Sequence, residues 1–220
     1  MNINNHALFW IMLDDSPKLA TKNLVKGNRF YGEKLVDLNG EEYRIWKPYR
    51  SKLASAIING IEIFPILKKS KILYFGATTG ITVSHISDIV GANGKVFVVK
   101  DINHRSNFLE KVKWKRVNIK VIDGVENLGQ NNSIIGKVDV LYVNLLTQNH
   151  INIIMNLKPY LKDDGYVMLV IKTKLFENKN YEELQNDLYK KISYMFKIIQ
   201  VIDISDFHKE HSLIIAKSLD

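Results

Sequence analysis

The spacing of apolar and polar residues changes near residue 48. Before that point, short segments of β character alternate with turn residues, at positions 7–13, 18–25, 29–31, 34–38 and 41–46. Asn39-Gly40 separates the last two segments, and an Asn-Gly pair between two such runs is a strong signal for a two-residue hairpin turn. The pattern therefore predicts a small antiparallel β lobe over residues 1–47.

From Pro48 onward, apolar runs typical of buried strands alternate with segments of helical periodicity. Helices are predicted at 51–61, with Ser51 as a candidate N-cap, at 82–89, through Phe108 and Val112, at 151–161 and at 181–196. Strands are predicted at 71–75, 96–99, 119–122, 138–143 and 166–171, followed by a closing pair at 198–204 and 212–216. This alternation predicts an α/β domain over residues 48–220, with a mostly parallel sheet and an antiparallel edge. The order of elements resembles that of the Rossmann-like class I methyltransferases.

The strand predicted at 71–75 runs directly into the glycine turn Gly76-Ala77-Thr78-Thr79-Gly80. In open α/β sheets, ligands bind beyond the carboxyl ends of the strands, and glycine lets the backbone turn tightly and approach a ligand. Two glycines at this spacing are weak evidence alone, but their place between a buried strand and a helix indicates a nucleoside-bearing cofactor. Such a ligand needs a carboxylate after the second strand. Of Lys100 and Asp101, only Asp101 can accept from ribose hydroxyls, unless it merely caps the next helix.

Composition narrows the classes of partner and site. The 31 Lys and Arg residues exceed the 23 Asp and Glu residues, giving a formal net charge of +8. This surplus favours polyanionic partners such as RNA, although a generally Lys-rich proteome would also produce it. The absence of Cys excludes disulfides, thiolate metal sites and a Cys nucleophile. With no apolar run near the length of a membrane span and no signal-peptide pattern at the start, a cytoplasmic protein is expected.

Two longer stretches carry a family resemblance, YRIWKPYRSKLA at 43–54 and ILYFGATTGITVSHISDIVG at 72–91. Both strongly resemble the signature of the fibrillarin family, in the same order and spacing. Shorter matches at 20–25, 31–34, 138–142, 171–172 and 207–211 extend the resemblance over nearly the whole chain. No Gly/Arg-rich tail precedes the first block, so the sequence resembles the compact archaeal form.

The resemblance implies an S-adenosylmethionine-dependent 2′-O-methyltransferase acting on ribose in ribosomal and transfer RNA. It also implies a C/D guide ribonucleoprotein, in which the chain docks on a Nop-domain scaffold protein beside a kink-turn RNA-binding protein. Guide RNA would then choose the target nucleotide, which suits a basic chain without an evident sequence-reading RNA module.

The catalytic residues implied by the resemblance are Lys52, Lys172, His211 and the position occupied by Asn144. A ribose hydroxyl must lose its proton as the new bond forms, and a desolvated lysine beside other cations can have a lowered pKa and serve as a base or as an orienting group. The family has an aspartate where this chain has Asn144. Asparagine still accepts a hydrogen bond, but it carries no charge.

The cofactor-binding positions implied by the resemblance are Gly76, Gly80, Ile81, Thr82, Lys100, Asp101, Val125, Glu126, Asn144 and Thr147. Several of them depart from the family pattern: Ile81 lacks a hydroxyl, Lys100 or Asp101 stands at the ribose-binding Glu, and Val125 replaces an Asp. Asp123 or Glu126 could supply the carboxylate missing at Val125. Three acidic positions are affected, so a catalytically impaired paralogue, acting as a structural or regulatory subunit, is the alternative to an active enzyme. The basic surplus and the 43–54 block disfavour a small-molecule methyltransferase.

Overall fold

The computed structural model describes residues 8–100, 112–113, 115–144, 150–172 and 189–219. The first sheet contains four antiparallel strands in the order β1-β2-β4-β3, namely β1 (Leu8–Leu13), β2 (Ser16–Lys22), β3 (Leu35–Leu38) and β4 (Glu41–Ile45). Asn39 and Gly40 both have positive φ, 55° and 79°, as a tight hairpin turn requires. The predicted antiparallel lobe and its turn are thus confirmed.

The strand predicted at 29–31 is wrong. This segment instead wraps around the carboxylate of Glu33, which accepts hydrogen bonds from the backbone N–H groups of Phe30 and Tyr31 at 2.8–3.1 Å. Its N–H groups are therefore already paired with a buried side chain and are not available to a strand neighbour.

A seven-stranded sheet forms the second unit of architecture, in the order β10-β11-β9-β8-β5-β6-β7. Its strands are β5 (Lys71–Phe75), β6 (Lys95–Lys100), β7 (Ile119–Asp123), β8 (Val138–Asn144), β9 (Leu161–Lys172), β10 (Phe196–Asp203) and β11 (His211–Ser218). Strands β5 to β9 pair in parallel, and β11 pairs antiparallel with β9 and β10. This confirms the Rossmann-like α/β fold with an antiparallel edge. The chain leaves β5 toward β6 on one side and returns on the other side at β8, so the switch point lies between β5 and β8.

The described helices are α1 (Lys52–Ile58), α2 (Ile81–Val90), α3 (Asn132–Ile135) and α4 (His150–Leu157). The hydroxyl of Ser51 accepts from the N–H of Ala54, which confirms Ser51 as the N-cap of α1. The predicted helix over 51–61 is shorter than expected, because the chain turns at Asn59-Gly60, where Gly60 has a φ of +94°. Most of the helices predicted through Phe108 and at 181–196 lies outside the described residues, although 189–193 are helical.

Both faces of the seven-stranded sheet are covered by apolar side chains. Residues of β5 alternate between the faces, with Ile72 and Tyr74 on one side and Leu73 and Phe75 on the other. Leu19 and Trp46 of the first unit join the same buried cluster as Ile72. Because the two sheets share a core, the division of the chain into 1–47 and 48–220 stays a prediction.

Buried charges also join the first sheet to α2. Arg44 on β4 is fully buried between Glu33 and Asp88, at 2.7 Å from each carboxylate, and Arg116 lies 2.6 Å from Asp88. The ring of Phe30 lies between the two guanidinium groups, 4.8 and 4.6 Å from them. Two cations and two carboxylates therefore balance in a closed cluster, which we call the lobe cluster. None of the helices in the described ranges has the length and apolar character needed to cross a membrane.

Candidate functional site

The glycine turn lies at the switch point, against the end of β8. Gly76 follows β5 with a φ of +83°, and a Cβ there would collide with the carbonyl oxygen of Asn144. Gly80 is the N-cap residue of α2, with a φ of +69°. Both positions therefore need glycine, for the close approach at Gly76 and for the left-handed backbone at each. Their contact with a cofactor stays a prediction, which this open backbone supports.

Lys52 and Asn144 come from different elements and meet at the edge of the sheet. Lys52 is the first residue of α1, Asn144 is the last residue of β8, and the Lys52 Nζ donates to Asn144 Oδ1 at 3.2 Å. Burial lowers the pKa of Lys52 below its ordinary value. The structure thus brings together two residues that the resemblance named as catalytic, and their catalytic role stays a prediction.

A chain of polar groups surrounds the Asn144 amide. Its Nδ2 faces the carbonyl oxygen of Gly76 at 3.5 Å. The buried Tyr74 and Thr82 line the same cavity as Asn144, and the Tyr74 hydroxyl interacts with both side chains. Burial raises the pKa of Tyr74, so the hydroxyl stays protonated. The Thr82 hydroxyl is in turn 2.9 Å from the hydroxyl of Ser51, beside Lys52. The periodicity predicted Tyr74 only as a core residue of a strand, and no sequence signal indicated that its hydroxyl belongs to the site.

Lys172 and His211 lie opposite each other at the same edge. Lys172 ends β9, His211 begins β11, and the two are partners in the strand register. The His211 Nδ1–H donates to the Lys209 carbonyl at 2.7 Å. Its Nε2 is buried and has no hydrogen-bond partner among the described residues. Burial lowers the pKa of His211, and the charges of Lys52 and Lys172 lower it further, so this imidazole is neutral at pH 7.

His208 belongs to the same site, although the sequence assigned it no role. Its Nε2–H donates to the Pro48 carbonyl at 2.9 Å, and its ring centre is 6.3 Å from that of His211. Burial lowers the pKa of His208, and the charge of Lys52 adds to this effect. His208 lies in the 207–211 block that carried part of the family resemblance, which was the one available signal.

A cavity of about 180 Å³ opens between α1, the glycine turn and the end of β8. Its polar lining includes Ser51, Lys52, Thr79, Thr82, Asn144 and His208. Hydroxyls, an amide and an amine thus face a space bordered by the N-terminus of α2. These groups fit a ligand that needs both donors and acceptors, such as an amino-acid-bearing nucleoside. The side chain of Ile81 is buried in the core, so only its backbone could contact such a ligand.

The far end of the predicted cofactor site, beyond β6 and β7, fits a nucleoside less well. Lys100 ends β6 and forms an ion pair with Asp123, 3.2 Å away at the end of β7. Val125 starts a single 3-10 turn and packs against the core, while the Glu126 carboxylate lies against Gly124. Among these residues, carboxylates are present, but Lys100, one of the two candidates for the ribose-binding position, is a cation. The predicted residues Asp101 and Thr147 lie outside the described residues.

Comparison with known proteins places this site in a family. The fibrillarin family model matches residues 2–219. The chain is 37% identical over 224 residues to a fibrillarin-like rRNA/tRNA 2′-O-methyltransferase of Thermococcus sibiricus, with 99% of each sequence covered. Aeropyrum pernix fibrillarin, solved in complex with natively bound S-adenosyl-L-methionine, is 32% identical, with a TM-score of 0.83 over 96% of this chain and 94% of that one. A chain of a fibrillarin/Nop5p complex is 30% identical, with a TM-score of 0.80 over 97% and 98% of the two chains. The sheet order, the site at its carboxyl edge and these matches together show that the chain belongs to the fibrillarin family.

Proposed function

We propose that this chain transfers the methyl group of S-adenosylmethionine to ribose 2′-hydroxyls of ribosomal and transfer RNA. The observation that carries the proposal is the meeting of Lys52, Asn144, Lys172 and His211 beside the Gly76–Gly80 turn, at the switch point of the sheet. A relative with this fold was solved with natively bound S-adenosyl-L-methionine, and another relative is an rRNA/tRNA 2′-O-methyltransferase.

The site residues would divide the work of the reaction between them. S-adenosylmethionine supplies a methyl group on a positively charged sulfur. The charge of Lys172 attracts the RNA phosphates and helps to place the hydroxyl at the cavity. Lys52, with its lowered pKa, and the neutral Nε2 of His211 are the groups that can accept the hydroxyl proton.

We further infer that the chain works on a Nop-domain partner protein, since a relative over nearly its full length is found in a fibrillarin/Nop5p complex. The net charge of +8 suits a subunit that contacts RNA already selected by a guide. A kink-turn RNA-binding protein as the third component and a cytoplasmic location stay predictions.

The alternative is a catalytically impaired paralogue that serves as a structural or regulatory subunit. One observation favours it: Lys100, which with Asp101 is a candidate for the ribose-binding position, carries an ammonium that pairs with Asp123 and cannot accept a hydrogen bond. In that case the fold and the partner surface would be retained while cofactor affinity is low.

Calorimetry and a methyl-transfer assay distinguish an active enzyme from an impaired paralogue. For an active enzyme, we expect saturable binding of S-adenosylmethionine at micromolar concentration and methyl transfer to guided RNA on the reconstituted particle. Lys52→Met and Lys172→Met should each lower transfer at least about 100-fold while leaving cofactor binding within about threefold. Lys197→Met, at an exposed lysine of β10, is the matched control and should behave as wild type. No binding at millimolar cofactor and no transfer would instead establish the impaired paralogue.

A further inference from the structure

The Asn144 amide has two neighbours that each select its orientation. The Gly76 carbonyl can only accept a hydrogen bond, and it lies 3.5 Å from Nδ2. The Lys52 ammonium can only donate, and it lies 3.2 Å from Oδ1. One orientation of the amide satisfies both neighbours, with nitrogen toward Gly76 and oxygen toward Lys52. A carboxylate at this position would place an acceptor against the Gly76 carbonyl.

The Gly76 carbonyl has little freedom to move away from residue 144. The backbone of Gly76 packs so closely on the Asn144 backbone that a Cβ would collide with it, and its φ is +83°. The preceding residues, Phe75 and Val143, are paired in the parallel ladder of β5 and β8. The geometry that suits an amide is therefore built into the backbone of the switch point.

Tyr74 holds the amide from the side of the core. Tyr74 lines the same cavity as Asn144 and Thr82, and its hydroxyl interacts with both of these side chains. Its ring stacks on that of Tyr142, with centres 4.6 Å apart and planes 23° from parallel. Thr82 is fixed in turn by the hydroxyl of Ser51. Because ring and hydroxyl are both held, Tyr74 limits rotation of the Asn144 side chain.

The titratable groups around Lys52 come from three elements. Lys172 ends β9, His208 lies in the connection between β10 and β11, and His211 begins β11. His208 and His211 each feel the charge of Lys52, and His211 also feels that of Lys172. Within the described part of the chain, the Lys52 ammonium donates to the neutral amide oxygen of Asn144 and pairs with no carboxylate.

We propose that Tyr74 is a positioning residue that, with the Gly76 carbonyl, locks the Asn144 amide oxygen onto Lys52, so that Lys52 is aimed by a neutral group and accepts the proton of the 2′-hydroxyl. The inference rests on the proposed methyl transfer and adds how this chain works without the family aspartate. Asn144 is then an adapted member of the site and not an eroded one. Burial lowers the pKa of Lys52 and so increases the fraction of free amine.

The proton balance is simple. The O–H bond of the ribose breaks, its proton joins the lone pair of the Lys52 amine, and the oxygen electron pair forms the new bond to the methyl carbon. The bond between that carbon and the sulfonium sulfur breaks, which leaves a neutral thioether. The Lys52 ammonium stays hydrogen-bonded to Asn144 until it returns the proton to water.

The first test compares three variants in the reconstituted particle with guided RNA. Tyr74→Phe should lower kcat about tenfold or more, with the KM for RNA and the affinity for cofactor within about twofold of wild type. Tyr142→Phe removes the hydroxyl of the stacked neighbour and is the matched control, expected within about twofold of wild-type kcat. Asn144→Asp should not exceed wild-type kcat at pH 7, and its pH–rate profile should move to higher pH, because a carboxylate holds the proton on Lys52. Wild-type kcat in Tyr74→Phe, or a gain in Asn144→Asp, would overturn the proposal.

The second test does not depend on activity, so it remains decisive if the chain proves to be an impaired paralogue. Acetic anhydride labels free amines, and mass spectrometry gives the half-labelling pH of Lys52 in the free protein. That pH should be lower for Lys52 than for exposed lysines such as Lys197, and Asn144→Asp should raise it by about one unit or more. If Lys52 titrates like Lys197 in both proteins, the amide does not tune the lysine and the proposal fails.

Discussion

The lobe cluster offers the sharpest test of how the first sheet is attached to the seven-stranded sheet. The perturbation is Glu33→Gln, which keeps the shape of the side chain and removes its charge. Glu33 is fully buried and accepts from the Arg44 guanidinium at 2.7 Å and from the N–H groups of Phe30 and Tyr31. A glutamine would turn an NH₂ group toward one set of these donors. It would also leave Arg44 with Asp88 as its one carboxylate partner among the described residues.

The expected size of the effect follows from burial. Removing one partner of a buried, hydrogen-bonded ion pair typically costs about 3–5 kcal/mol, because the other charge stays buried without compensation. That is a large part of the roughly 5–15 kcal/mol that stabilises a folded domain. The pair formed by Lys22 and Glu41 has the same 2.7 Å separation, but its side chains are about half exposed. Such surface pairs contribute about 0–1 kcal/mol, so Glu41→Gln is the matched control.

The assay is urea unfolding followed by tryptophan fluorescence and by far-UV circular dichroism, in a background with Trp10→Phe and Trp114→Phe so that Trp46 gives the fluorescence signal. Trp46 is buried and stacked on His85 of α2, 4.5 Å between ring centres, so it reports on the contact between the two sheets. With a urea dependence of about 2–3 kcal/mol/M, Glu33→Gln should lower the midpoint by about 1–2 M and Glu41→Gln by less than about 0.5 M. Equal shifts in the two variants would refute the argument from burial.

The same pair should also show a defined pH dependence. Burial alone would raise the pKa of Glu33, but the Arg44 guanidinium and the backbone N–H groups outweigh burial and lower it. A lowered carboxyl pKa gives stability that is present above the unfolded value of about 4.3 and is lost as the pH falls through the folded value. The gap between wild type and Glu33→Gln should therefore narrow below about pH 4.3.

Three further outcomes are expected. Gly76→Ala should abolish measurable cofactor binding in calorimetry, because the added Cβ would collide with the end of β8. Gly91→Ala is the control and should bind the cofactor as wild type does, because Gly91 has a similar φ of +70° but open space around it. Equal effects of the two substitutions would refute the role of the close approach. Lys100→Glu should bind S-adenosylmethionine about tenfold more tightly, because the new carboxylate supplies an acceptor for the ribose. Asp123→Asn is the control for loss of the ion pair with Lys100. Unchanged affinity in Lys100→Glu would contradict this prediction. Burial lowers the pKa of His85 well below 6.5, so the stability of the protein should fall as the pH drops below about 6.5. In a His85→Gln variant the urea midpoint should fall less over the same pH range. Identical pH profiles of the two proteins would count against this role of His85.

Local signals in the sequence predicted many of the elements well. The strand at 71–75 was predicted to the residue, because an apolar run bounded by polar and glycine residues has few alternatives. The hairpin turn at Asn39-Gly40 follows from the φ values that only a few residue types tolerate. The start of β9 at Leu161, five residues before the predicted strand, was missed because it depends on pairing with Val138 across an irregular register. The segment 29–31 was misread because its partner is a buried carboxylate and not a strand.

The sequence by itself determined the fold class, the glycine turn, the family and the identity of the residues that gather at the site. These features follow from periodicity, turn chemistry and motif spacing, all of which are local properties of the sequence. Only the tertiary structure decided that Tyr74 reaches Asn144, that His208 lies beside Lys52, and that Lys100 pairs with Asp123. Each of these contacts joins elements that are adjacent only after the sheet is assembled. Whether an asparagine in place of an aspartate adapts the site or erodes it therefore depends on neighbours that the order of residues along the chain does not reveal.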